Sequence, residues 1–135
     1  MDRCRSHRIL ELVLVSVLVV GCQPTVALPP DSAGPDVVLD AYLRSLVAGD
    51  CDMGPKLATS TFGRGNGELC GGTDVTAYRI DGNVQPSADE VVFSTILTTT
   101  GDNGQSIPAG EMIWFYSLMR QPNGAWRITG GGTGP

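Results

Sequence analysis

Apolar and polar positions follow two different periods along this chain, helical in its first half and strand-like in its second. Leu39, Tyr42 with Leu43, and Leu46 with Val47 recur every three to four residues, predicting a helix with one apolar face that opens near Pro35. Proline suits the first helical turn, where its missing N–H costs nothing, and Asp36 and Asp40 complement the positive end of the helix dipole. Gly49 predicts the C-terminal stop. A shorter helix is expected from about Gly54 to Thr61, carrying Leu57 and Ala58, with Phe62 just beyond. Gly63 to Gly72 is glycine-rich and reads as a flexible turn. After it the period becomes two.

Val75 to Ile80 sets Thr76, Tyr78 and Ile80 on one face of a strand, and Asp81-Gly82-Asn83 predicts a turn. Val91 to Thr99 opposes Val91, Phe93, Thr95 and Leu97 to Val92, Ser94 and Ile96. Gly101 to Gly110 follows as a loop. Met112 to Met119 is apolar on both faces, which predicts a strand inside its sheet with cover over each side. Gln121-Pro122-Asn123-Gly124 is a hairpin signal, Ala125 to Thr129 the returning strand, and Gly130 to Gly134 a terminal tail. Helices followed by antiparallel strands make the expected fold class α+β.

The first thirty-four residues obey neither period. Arg3, Arg5 and Arg8 precede an apolar run from Ile9 to Val20, interrupted only by Glu11 and Ser16. A positive start, a short apolar core and small residues at the cut describe a secretory signal. A membrane-spanning helix needs about 20 apolar residues, and this run is shorter. Val19-Val20-Gly21-Cys22 resembles the lipobox of bacterial prolipoproteins, although Val19 stands where that pattern usually has leucine. The resemblance implies cleavage before Cys22 and fatty acylation of its thiol, as with a palmitate-bearing diacylglycerol. The expected organisation is then 1–21 signal peptide, 22–34 lipidated cysteine and tether with Pro24, Pro29 and Pro30, 35–130 folded domain, and 131–135 glycine-rich tail. The expected location is the extracytoplasmic face of the cell membrane. Twelve extended tether residues would reach at most about 40 Å.

Four cysteines are present. With Cys4 leaving in the leader and Cys22 taking the lipid, Cys51 and Cys70 remain, and in an oxidising compartment they predict a disulfide. Zinc is the competing reading, but two cysteines with no histidine after His7 make a poor ligand set, so no metal site is expected. No cofactor motif appears either. Gly63, Gly65 and Gly67 lack the preceding strand and the Gly-Lys-Ser/Thr ending of a phosphate loop. After the leader, six basic residues face twelve acidic ones, a net charge of −6, which argues against nucleic acid as a partner.

Val38-Leu39-Asp40-Ala41-Tyr42-Leu43-Arg44-Ser45-Leu46, the Ala48-Gly49-Asp50 that ends it, and Asn123-Gly124-Ala125-Trp126-Arg127-Ile128 resemble pieces of the nuclear transport factor 2-like superfamily. That superfamily includes SnoaL-like and ketosteroid-isomerase-like proteins. The resemblance spans residues 35 to 130. It implies N-terminal helices packed on a curved, cone-like, mostly antiparallel sheet enclosing a pocket. Candidate pocket residues are Tyr42, Tyr78, Glu111, Trp114, Tyr116 and Trp126. The absence of histidine after His7 excludes Ser-His-Asp and Cys-His mechanisms and the Asp–His pair of dehydratase-type relatives. No residue is therefore assigned as catalytic. The expected function is a lipid-anchored envelope protein that binds a small apolar ligand or a protein partner. The alternative is an isomerase or dehydratase using a pocket carboxylate such as Glu111 or Asp50, with phenolic donors.

Overall fold

A computed structural model of the chain describes residues 25–64, 67–101 and 107–134, and within them helices precede strands. The expected signal peptide and Cys22 lie outside the described residues. Helix α1 spans Pro35–Ala48 and stops where predicted: Gly49 takes a left-handed φ of 71°, its N–H donates to Leu46 O, and the Asp50 N–H donates to Ser45 O. Leu39, Tyr42, Leu43 and Leu46 form its buried face. Ser45, also buried, donates its hydroxyl to Tyr42 O at 2.6 Å, so no polar group is stranded there.

Helix α2 is only Gly54–Leu57, shorter than its expected span. The chain leaves it because Ala58 turns extended and bridges Ile128 in parallel, while the Thr59 N–H donates to Ile128 O at 2.9 Å. A neighbouring strand edge thus recruits backbone groups that a longer helix would have used. A 3₁₀ turn at Phe62–Arg64 then seats the fully buried Phe62.

Four strands follow: β1 (Val75–Ser87), β2 (Glu90–Thr100), β3 (Ala109–Arg120) and β4 (Trp126–Gly132). They form one antiparallel sheet in the order β1-β2-β3-β4. β1 does not turn at Asp81-Gly82-Asn83. A register shift between Ile80 and Gly82 takes up Asp81; Gly82 and Asn83 pair with Ser94 and Phe93, and the strand continues to Ser87. The shift also changes which face the chain presents. Tyr78 and Ile80 pair with Leu97 and Thr95 on the helix side, whereas Gly82 and Val84 pair with Ser94 and Val92 on the outer side. Pro86 is tolerated because β1 is an edge strand. At the opposite edge, Gly131 and Gly132 are not part of a free tail; they extend β4 and pair with Tyr116 and Phe115.

The expectation of cover on both sides of β3 is met on one side only. Trp114, Tyr116 and Leu118 are buried under the helices, but Ile113 is 54% and Met119 43% exposed on the outer face. Both helices lie on a single face of the sheet, so nothing among the described residues shields the other.

The segment expected as a tether is partly docked. Val26 and Ala33 pack against the core, and Arg127 holds Asp31 at 2.8 Å. Cys51 and Cys70 are joined, with Cα atoms 5.5 Å apart. In the chain-entropy picture a crosslink over this separation stabilises by about 3 kcal/mol. The double variant Cys51→Ser with Cys70→Ser should therefore unfold at distinctly lower urea, by roughly that free energy. An unchanged midpoint would contradict a structural role for the bond.

Candidate functional site

Three rings meet where α1 crosses the sheet. Tyr42 from α1, Phe62 from the 3₁₀ turn and Tyr116 from β3 pack edge-to-face, with centroids 5.6, 5.6 and 6.4 Å apart. All three are fully buried. The Tyr42 hydroxyl donates to Glu68 Oε1 at 2.6 Å, and the Cys70 N–H donates to the same oxygen at 2.9 Å. The other carboxylate oxygen, Oε2, lies over Gly54, where a β-carbon would approach it to 2.8 Å. Glu68 is thus boxed between α1, α2 and the disulfide.

Beside this box sit two buried donors without hydrogen-bond partners, the Tyr116 hydroxyl and the Trp114 indole Nε1. The indole Nε1 and the edge of the Tyr116 ring lie against β4 at Gly131. A β-carbon there would stand 2.9 Å from Trp114 Nε1 and 3.2 Å from the Tyr116 ring, so only glycine lets the strand pass so close. Burial pushes the Tyr42 phenol far above its ordinary value, with Tyr116 and Glu68 adding to the effect. Burial likewise pushes Tyr116 up and Glu68 adds to it, with the neighbouring Tyr42 hydroxyl opposing. Both phenols remain neutral, able to donate a proton in a hydrogen bond but not to ionise.

The remaining candidates lie elsewhere. Tyr78 donates to Asp40 Oδ1 at 2.6 Å, and Asp40 Oδ2 pairs with Arg44 at 2.9 Å. Burial and then the Asp40 hydrogen bond and charge push Tyr78 up to about 12, with Arg44 opposing. Tyr78 lines a cleft of ≈ 310 Å³ together with Thr25, Val26, Arg44, Val47 and Ala48. Trp126 is buried six residues further along the β3 register, under the Arg120 guanidinium 5.0 Å from its ring. Glu111 is exposed opposite Thr98, on the outer face. A second cleft of ≈ 270 Å³ opens on that face, between Asp81 to Val84 and Phe115. Asp50 is at the end of α1, where its carboxylate accepts from the Asp52 N–H.

Tyr42, Tyr116 and Trp114 are therefore brought together, and Tyr78, Trp126 and Glu111 are not among them. The carboxylate that does meet the phenols is Glu68, which the sequence reading passed over inside a glycine-rich turn. Its signal was its place two residues before a disulfide cysteine. Among the described residues no group of three or more His, Cys, Asp or Glu side chains could hold a metal ion. Nor is any described helix long and apolar enough to cross a membrane. Compared with models of known protein families and with curated proteins, the chain finds no match.

All three tyrosines have phenols raised above the ordinary 10.0. A folded pKa above the unfolded one gives stability that is complete below the unfolded value and lost as pH rises through the folded one. At pH 10.0 the folded protein should show little phenolate absorbance, whereas urea-unfolded protein should be about half ionised. Near-ultraviolet titration of the two states checks this; coincident curves would contradict the buried, hydrogen-bonded placement.

Proposed function

We propose that this chain is a lipoprotein held on the extracytoplasmic face of a cell membrane by a lipid on Cys22, with a domain that binds rather than catalyses. The observation carrying the reading is the Cys51–Cys70 pair. With those two sulfurs joined, Cys22 is the one thiol left after the leader, at the position where a lipobox requires it. An oxidised pair also fits an extracytoplasmic compartment.

The site chemistry favours binding. Turnover by a pocket carboxylate needs an acid–base group that reaches substrate. Glu68 already accepts two hydrogen bonds, its phenolic neighbours are closed to solvent, and Glu111 lies on the far face of the sheet. The order of a long helix, a short helix and antiparallel strands supports a nuclear transport factor 2-like arrangement, with the sheet as scaffold and the clefts at its margins as binding places. A small apolar ligand or an envelope protein suits such a surface better than nucleic acid does, given the acidic charge.

Expression of the full chain in a bacterium that processes lipoproteins tests this. Mass spectrometry should find an amino terminus at Cys22 carrying diacylglycerol, and labelled palmitate should enter the protein but not its Cys22→Ser variant. An unmodified amino terminus upstream of Cys22 would overturn the reading.

A further inference from the structure

We infer that the cleft between the C-terminal end of α1 and β1 rests against the headgroup layer of the bilayer, so that the domain lies on the membrane instead of standing off from it. This depends on Cys22 being the lipid anchor proposed above. Chain length sets the distance. Thr25 and Val26 are already walls of the ≈ 310 Å³ cleft, and Val26 packs against the hydrophobic core. Only four residue steps separate Val26 from Cys22. Fully extended they reach about 14 Å. A diacylglycerol thioether fixes its cysteine at the level of the headgroups, so the cleft mouth must lie within that distance of the bilayer surface. The second half of the segment cannot peel away to lengthen the tether while Asp31 is held by Arg127 and Ala33 is packed on the core.

The surface placed there has the chemistry of an interfacial contact. Val47, on the cleft wall, is 43% exposed, and Leu28, two residues past Val26, is 55% exposed. Tyr78 adds an aromatic ring with a polar tip, a combination that suits the boundary between headgroups and acyl chains. In a chain with an acidic excess, the charges at this cleft cancel, because Arg44 pairs with Asp40. Phosphate headgroups therefore meet no uncompensated carboxylate in its lining. The partner is the lipid surface itself, touched by apolar side chains and held by the anchor.

The test uses the full lipidated chain in phosphatidylcholine–phosphatidylglycerol vesicles containing headgroup-spin-labelled lipid. Tryptophan is introduced as Val47→Trp, as Leu28→Trp in case the cleft tolerates the first poorly, and as Val84→Trp for comparison. Val84 lies six residues beyond Tyr78 on β1, about 20 Å away, and faces the opposite side of the sheet. Trp114 and Trp126 are buried and form a common background. Several-fold stronger quenching at 47 or 28 than at 84 is expected. Equal quenching, or stronger quenching at 84, in protein whose mass shows the lipid on Cys22 would overturn the orientation alone. Protein without that lipid would overturn both the anchor and the orientation.

Discussion

Glu68 Oε1 accepts two hydrogen bonds, one from a fully buried tyrosine on α1 and one from the backbone of a disulfide cysteine. Through that oxygen the covalent crosslink is connected to the hydrophobic core. A carboxylate brought this close to buried rings is costly unless its oxygens are paired. The disulfide lowers that cost by holding the segment before Cys70 in place, so that the pairing need not be found anew. Hydrogen bonds to a charged group are worth about 1.5–3 kcal/mol each. A domain of this size has about 5–15 kcal/mol in total, so the cluster carries a substantial share.

The glycines around it follow from the same crowding. Gly54 is bare because Glu68 Oε2 occupies the place of a side chain, and Gly131 is bare because Trp114 and Tyr116 do. At Gly67 the backbone has a φ of 93°, and a β-carbon would collide with the Gly131 carbonyl. The glycine-rich turn and the glycine-rich end of β4 thus meet backbone to backbone over the aromatic cluster. At Gly67 and Gly131 the glycine reflects that close approach, whereas Gly63, Gly71 and Gly72 face open space.

Elements governed by local period were legible in the sequence. The helical spacing of Leu39, Tyr42, Leu43 and Leu46 placed α1, Gly49 placed its end, and the alternation from Val91 to Leu97 identified the buried face of β2. Features that depend on distant partners were not. α2 is cut short by Ile128, seventy residues past Ala58 in the sequence, and β1 outruns its turn signal because a bulge against β2 absorbs Asp81. Glu68 finds Tyr42 across 26 residues, a relation no local pattern encodes. The apolar residues on both sides of β3 indicated an interior strand, which it is, but not that one side would be left open.

That open side, and the cleft beside α1, are where solvent reaches the sheet, while Tyr42, Tyr116 and Trp114 lie buried beneath α1. The binding places proposed above are therefore at the margins of the fold, away from the packed centre. That centre can be tested by a double-mutant cycle in the oxidised protein, comparing Tyr42→Phe, Glu68→Gln and the pair by urea unfolding. If the carboxylate joins the crosslinked segment to the core, the two changes should couple by about 1–3 kcal/mol. Effects that simply add, within about 0.5 kcal/mol, would contradict it.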